Sequence, residues 1–318
     1  MPEKIEYLHQ QGKRKNIEDS LFPSPGSARS SDRVFIVCDG VGGEQKGEVA
    51  SQMVCSHMGR VLSAVKPETV SAAFLHQVAS GAVADLQAYA KENPDAENMS
   101  TTLTLCHFQN GGVWVAWCGD SRVYHLRNGI VLWKTKDHSL VQQLVDAGEI
   151  TEEEALNHPR KNIILRSLSA ASDKAPIETY FISDLREGDY FLLCTDGLLE
   201  QIQEEQLYKI LNLNNRHKDK SSLFQDYCEG KTNDNYSMYL LQVGSVSKSR
   251  TSSGYKKLFW FLAASIILLA SLIVFTKRNS TEKPTDLHKE PENSPASIRQ
   301  TKPNQSEIPL PSVNKKPK

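Results

Sequence analysis

Three features of secreted or scaffolded proteins are missing from this chain. Its 318 residues include only six cysteines, no two of them in a CxxC pair, which argues against a disulfide framework and against a zinc or redox motif. Cys38, Cys106, Cys118 and Cys194 stand inside the apolar runs VFIVC, LTLC, VWVAWC and FLLC, where a small buried thiol in a reducing compartment is expected. The first fifteen residues, MPEKIEYLHQQGKRK, hold no apolar stretch, so no signal peptide is expected. Charge of one sign is also lacking: 37 basic against 38 acidic side chains give no electrostatic reason to bind nucleic acid. No internal repeat is visible. With 39% apolar and 24% charged residues, the chain is neither wholly disordered nor collagen-like.

The balanced total conceals a division. Residues 1–247 carry 24 basic and 33 acidic side chains, a net of -9, whereas residues 248–318 carry 13 and 5, a net of +8. Residues 258–275 read LFWFLAASIILLASLIVF, 18 uncharged residues with only Ser265 and Ser271 polar. As a helix this run is about 27 Å long, close to the thickness of a bilayer core. A buried globular helix would show a polar stripe. This one has none, and Lys256 and Lys257 fence it on one side, Lys277 and Arg278 on the other. Tyr255 and Trp260 stand where an interfacial belt would place them. The expected organisation is a globular part over 1–245, a polar linker over 246–257, one transmembrane helix over 258–276 and a basic tail over 277–318. The tail holds seven of the 14 prolines and few large apolar groups, a composition expected to stay disordered. Basic residues flank both ends of the span about equally. The free cysteines and the lack of a signal peptide favour a membrane protein with its globular part in the cytoplasm and its tail exported.

Within 1–245, Val34–Cys38, Gly112–Cys118, Arg122–Arg127 and Tyr190–Cys194 are short β-branched and aromatic runs bounded by Gly, Asp or Asn, the signature of strands. Residues 239–243 look like a closing strand. Residues 47–62 place Val49, Ala50, Met53, Val54, Met58 and Val61 at helical spacing, and residues 67–91 read as a second long helix. Thr151 followed by Glu154 is a capping box for a short helix.

Three of the apolar strands run into an acid beside a glycine: VFIVCDGVGG, VAWCGDSR and YFLLCTDGLL. Each would project a carboxylate at a sheet end, namely Asp39, Asp120 and Asp196. Asp234 stands just before the last strand, and Glu18 and Asp19 follow the first. A single Asp-Gly step is ordinarily a turn. Several acids gathered at one sheet edge repel each other unless a counterion is present, and Mg2+ or Mn2+ answers that need with a preference for oxygen ligands. No His or Cys cluster accompanies the acids, which argues against zinc. Gly40, Gly42 and Gly43 would let main-chain carbonyls come close to a metal.

The ordered segments RKNIED, VCDGVGGEQKGEVAS, STTL, GDSRVY, KDHSL, HPRKNIILRSL, CTDGL and DNYSMYLL resemble the metal-dependent protein Ser/Thr phosphatases of type 2C, in their bacterial, eukaryotic-like branch. The likeness runs from about residue 12 to residue 243. It implies an α+β fold, a four-layer α/β/β/α sandwich of two antiparallel sheets between helix layers, with metals in a cleft at one edge. It implies two Mn2+ or Mg2+ ions, with a third in bacterial members. By this likeness Asp39 bridges both metals and the Gly40 carbonyl ligates the first. Asp196 and Asp234 complete the second site, while Glu18 and Asp19 hold metal-bound waters. Asp120 resembles a ligand of the third, weaker metal, with Asp196 a candidate to share it, and Arg14 matches the arginine that grips the substrate phosphate.

The implied mechanism is in-line hydrolysis of phosphoserine or phosphothreonine proteins by a water bridging the two metals. Eukaryotic relatives carry a His two residues after the bridging Asp; here that position is Val41, which leaves metal-bound water as the proton donor. Ser100 stands where the family usually has Gly, and Tyr236 and Ser237 replace the commoner Ile-Thr; neither change removes a ligand. Asp137 or Ser139 is an expected N-cap, so His138 and His158 are not expected to be catalytic. Residues 151–168 correspond to the family's mobile flap.

Three functions follow as alternatives. The first is a membrane-anchored phosphatase, concentrated by its anchor toward membrane substrates such as receptor-type Ser/Thr kinases. The second is a non-catalytic pseudophosphatase that binds phosphoproteins at the membrane; loss of an acid would mark it, and none is lost. The third is a phosphatase of the sigma-factor-control branch, which usually lacks the flap and the arginine-bearing start that this chain has.

Overall fold

A computed structural model describes residues 1–41, 46–213 and 218–245; the linker, the candidate membrane span and the tail lie outside the described residues. Among the described residues no helix is long and apolar enough to cross a membrane.

Central strands buried on both faces build two antiparallel sheets of five strands each. In spatial order, the first contains Pro2–Gln10, Tyr236–Val243, Tyr190–Cys194, Arg122–Arg127 and Ile130–Lys134. The second runs Glu178–Ile182, Gly112–Cys118, Leu103–Gln109, Val34–Cys38 and Ser20–Phe22. Period-two patterning sends one set of side chains to each face. From Val34–Cys38, Phe35 and Val37 point between the sheets, where they meet Phe191 and Leu193 of the facing sheet. Edge-to-face rings lock this inner layer: Phe35 lies 6.1 Å from Phe108 and 5.4 Å from Tyr239, and Phe108 lies 5.6 Å from Phe191. Such pairs contribute about 0.5–1.5 kcal/mol each beyond the area they bury.

The opposite faces are covered by helices. Val34, Ile36 and Cys38 pack under the helices Gly47–Ala64 and Ala72–Glu92. Leu192 and Cys194 pack under Glu204–Asn212 and Lys220–Cys228. The result is the expected α/β/β/α sandwich. All six cysteines are buried and free.

Some boundaries differ from the sequence expectation. The second long helix does not begin at Pro67: Pro67–Thr69 forms one 3-10 turn, Val70 is extended, and Ser71 starts the helix by accepting a hydrogen bond from the Phe74 N–H at 3.3 Å. The closing strand begins at Tyr236 rather than at residue 239. Ser139, not Asp137, caps the helix Leu140–Asp146, and the capping box at Thr151 is present.

Candidate metal centre

Strand register delivers the acids to one edge. Ser20 pairs with Cys38, and Leu103 with Cys118, so Asp19, Asp39 and Asp120 leave the second sheet together. In the first sheet Cys194 pairs with both Arg122 and Met238, while Gln10 pairs with Tyr236. That register brings Asp196, Asp234 and the turn carrying Arg14 to the corresponding end. Asp196 opens a short helix, Asp196–Leu199.

Hydroxyl groups hold the backbone of this edge. The Asp39 N–H donates to Thr102 Oγ1 at 2.9 Å, and Thr101 Oγ1 donates to the Asp39 carbonyl at 2.7 Å. Thr195 Oγ1 donates to Asp19 Oδ2 at 3.1 Å and accepts from the Ser237 N–H at 3.0 Å. Arg14 Nη2 donates to Asp234 Oδ2 at 2.6 Å.

Gly40 sits in a crowded backbone crossing, where an added Cβ would lie 2.4 Å from the Gly47 carbonyl and 2.8 Å from the Glu18 carbonyl. Its N–H donates to the Glu18 carbonyl at 3.1 Å. The absent side chain therefore serves backbone packing around Glu18. Gly42 and Gly43 lie outside the described residues.

The electrostatics are those of an over-filled acid cluster. Burial, reinforced by the charges of Asp196 and Asp234, pushes Asp19 up to about 7. Asp39 is held well above the carboxylate range by burial and then by Asp19, Asp196, Asp120 and Asp234. Asp120 is raised well above that range by burial and the charge of Asp196, and Asp196 is raised by burial and the charge of Asp234. Asp19 Oδ1, Asp120 Oδ1 and Asp196 Oδ1 are buried without a hydrogen-bond partner. Buried acceptors without donors are costly, and a hard cation supplies what these oxygens lack. Among the described residues no three acidic, His or Cys side chains are already closed around a point that could hold a metal ion. Asp234 is engaged with Arg14. The donor set, all oxygen and with mutual repulsion unrelieved, fits Mg2+ or Mn2+.

His138 is occupied elsewhere. Its Nδ1 accepts from the Gly119 N–H at 3.2 Å, its Nε2 faces Glu178, and its carbonyl accepts from the Leu165 N–H at 2.7 Å. It ties the segment over 151–168 to the turn before Asp120. Asp137 forms a bidentate pair with Arg122 at 2.7 Å. His158 Nδ1 accepts from the Arg160 N–H at 3.2 Å within its own loop. Sequence reasoning missed the supporting roles of Thr101, Thr102, Thr195 and Asn235. The STTL and CTDGL segments were visible, but that their hydroxyls brace Asp39 and Asp19 depends on strand pairing.

The protein phosphatase 2C family model matches residues 12–229. A serine/threonine phosphatase stp of Listeria innocua is 33% identical over 228 residues, covering 69% of this chain and 88% of that protein. The crystal structure of the Staphylococcus aureus serine/threonine phosphatase Stp1 matches with a TM-score of 0.67 at 25% identity, covering 77% of this chain and 96% of that one. The PstP catalytic domain, solved in complex with two manganese ions, matches with a TM-score of 0.63 at 30% identity over 76% of this chain and 98% of that one. The chain belongs to the protein phosphatase 2C family and is a protein serine/threonine phosphatase.

Proposed function

We propose that this phosphatase is anchored in a membrane by residues 258–276 and works through divalent cations held by the strand-end acids. The observation that carries the metal reading is the buried carboxylate cluster with three partnerless oxygens. Asp39, Asp196, Asp234 and the Gly40 carbonyl would hold two Mn2+ or Mg2+ ions. Glu18 and Asp19 would act through bound waters, and Asp120 would serve a third ion. When bound, such ions supply Lewis acidity and an activated water for attack on phosphorus. The likeness to PstP, solved with two manganese ions, supports this assignment.

The chain's own groups do the rest. Arg14, half exposed at the rim beside Asp234, offers a planar guanidinium to the non-bridging oxygens of the substrate phosphate. Thr101 and Thr102 fix the Asp39 backbone and Thr195 an Asp19 oxygen by hydrogen bonds, so the segments that carry these acids need not reorganise during turnover. Val41 offers no proton to the departing serine or threonine oxygen, so that proton must come from a water. The complete acid set favours catalysis over a phosphoprotein-binding pseudoenzyme.

The long uncharged run flanked by basic residues supports the anchor, and substrates would include phosphorylated membrane proteins, Ser/Thr kinases among them. The test is hydrolysis of a phosphothreonine peptide by residues 1–245, with and without Mn2+, beside Asp39→Asn and Asp196→Asn. Both variants are expected to lose about a thousandfold or more in metal-dependent kcat; metal-independent turnover, or full activity in either variant, would overturn the mechanism. Protease added to intact cells should spare residues 1–245, and their rapid loss would reverse the cytoplasmic assignment.

A further inference from the structure

Arg14 is an exposed side chain on a turn, residues 11–16, between the first strand and Ser20. No core packing holds its guanidinium: the ion pair with Asp234 at 2.6 Å holds its tip, and the anchoring of the turn sets where the side chain starts from. Gln11 Nε2 closes the turn on itself by donating to the carbonyls of Arg14 at 2.8 Å and Lys15 at 2.9 Å. That closure does not attach the turn to the rest of the protein.

Asn235 provides the attachment. Its side chain is nearly enclosed, at 4% exposure for the residue, and it uses one acceptor and two donors on the same loop. Asn235 Oδ1 accepts from the Glu18 N–H at 2.8 Å, and Nδ2 donates to the carbonyls of Gln11 at 2.8 Å and Asn16 at 2.9 Å. Both feet of the turn are thereby clasped by one carboxamide. Only this orientation of the amide satisfies all three partners.

The backbones also meet closely. Gly12 has φ +59, and an added Cβ there would lie 2.0 Å from the Asp234 carbonyl oxygen. Lys13 Nζ adds weaker ties to the Lys231 carbonyl at 3.2 Å and Asn233 Oδ1 at 3.3 Å.

We propose that Asn235 is a positioning residue for phosphate capture: by clasping Gln11, Asn16 and Glu18 it sets where Arg14 meets the substrate phosphate. The inference rests on the reading of Arg14 as the phosphate-binding arginine. Asn235 touches neither substrate nor metal. Adjacent residues thus serve the two halves of the site, Asp234 as a ligand and Asn235 as the clasp. Aspartate cannot replace it, because a carboxylate keeps the acceptor for Glu18 but turns an oxygen toward two carbonyl oxygens.

The test uses the full-length protein in detergent with Mn2+ and a phosphothreonine peptide. Asn235→Asp is expected to raise KM about tenfold with kcat within about threefold, and to weaken inhibition by inorganic phosphate in parallel. In an Arg14→Ala background the same substitution should change KM by less than about twofold, because its effect runs through the arginine. The Mn2+ concentration that half-stabilises the protein against heat should not move. An undiminished KM penalty in the Arg14→Ala background would overturn the inference, as would a loss confined to kcat and accompanied by a shifted Mn2+ midpoint.

Should Asn235→Asp fail to fold, Gly12→Ala displaces the same turn from its other side. A raised KM that vanishes with Arg14→Ala supports the clasp, and a folded Gly12→Ala protein with unchanged KM refutes it. Absence of Mn2+-dependent turnover in the wild type is a separate result, which removes the proposed metal mechanism and this inference with it.

Discussion

Replacing Asp19 with asparagine should stabilise the metal-free protein while weakening its response to metal. Asp19 is 5% exposed, has one oxygen without a partner, and is pushed from 3.8 to about 7 chiefly by burial. Because its proton is held more tightly in the folded state, stability falls as pH rises from about 4 to about 7 and is flat above. A shift of that size corresponds to about 4 kcal/mol across the window. Asparagine keeps an acceptor for Thr195 Oγ1 and turns an N–H2 toward neighbouring carboxylates.

The assay is urea unfolding of residues 1–245, which lie within one compact unit, in EDTA, followed by tryptophan fluorescence. Asp19→Asn should match the wild type near pH 4 and exceed it by roughly 2–4 kcal/mol at pH 8. Mn2+ at a hundredfold excess over its dissociation constant should return about 2.7 kcal/mol to the wild type, and less to the variant. A difference that does not vary with pH, or a wild type more stable at pH 8 in EDTA, would refute the reasoning.

Two further outcomes are expected. Gly40→Ala forces a Cβ to 2.4 Å from the Gly47 carbonyl, so the backbone beside Asp39 must shift; metal-dependent kcat should fall about tenfold or more while the melting temperature drops by a few degrees. His107 is enclosed at 1% exposure and lowered to about 4 by burial and then by Arg33. The unfolded chain therefore binds the extra proton first, and stability is lost as pH falls from about 6.5 to about 4. His107→Leu should flatten that loss by about 3 kcal/mol without touching activity, measured by urea unfolding at pH 4.5 and pH 7.

Much of the architecture was legible because strands covered on both sides must be apolar throughout. VFIVC, VWVAWC and YFLLC are apolar on both faces, which marks central strands covered on two sides, and each lies where expected. The chain ends of those strands announced Asp39, Asp120 and Asp196 for the same reason: an apolar run that stops at Asp beside Gly must be leaving the core. The start of the second helix was less legible. Pro67 suits a first helical turn, and only the extended backbone at Val70 moved the start to Ala72.

Alone, then, the sequence determined the acid inventory, the apolar central strands, the division of charge and the apolar run over 258–275, since each is a property of residues near one another along the chain. The tertiary structure decided what converges. Asp19, Asp39, Asp120, Asp196 and Asp234 become one electrostatic unit only through antiparallel register, and a register one residue different would turn the acids to opposite faces. The bond from Asn235 to Asn16 spans 219 positions. No local pattern records that contact, because it exists only once the first and last strands lie side by side.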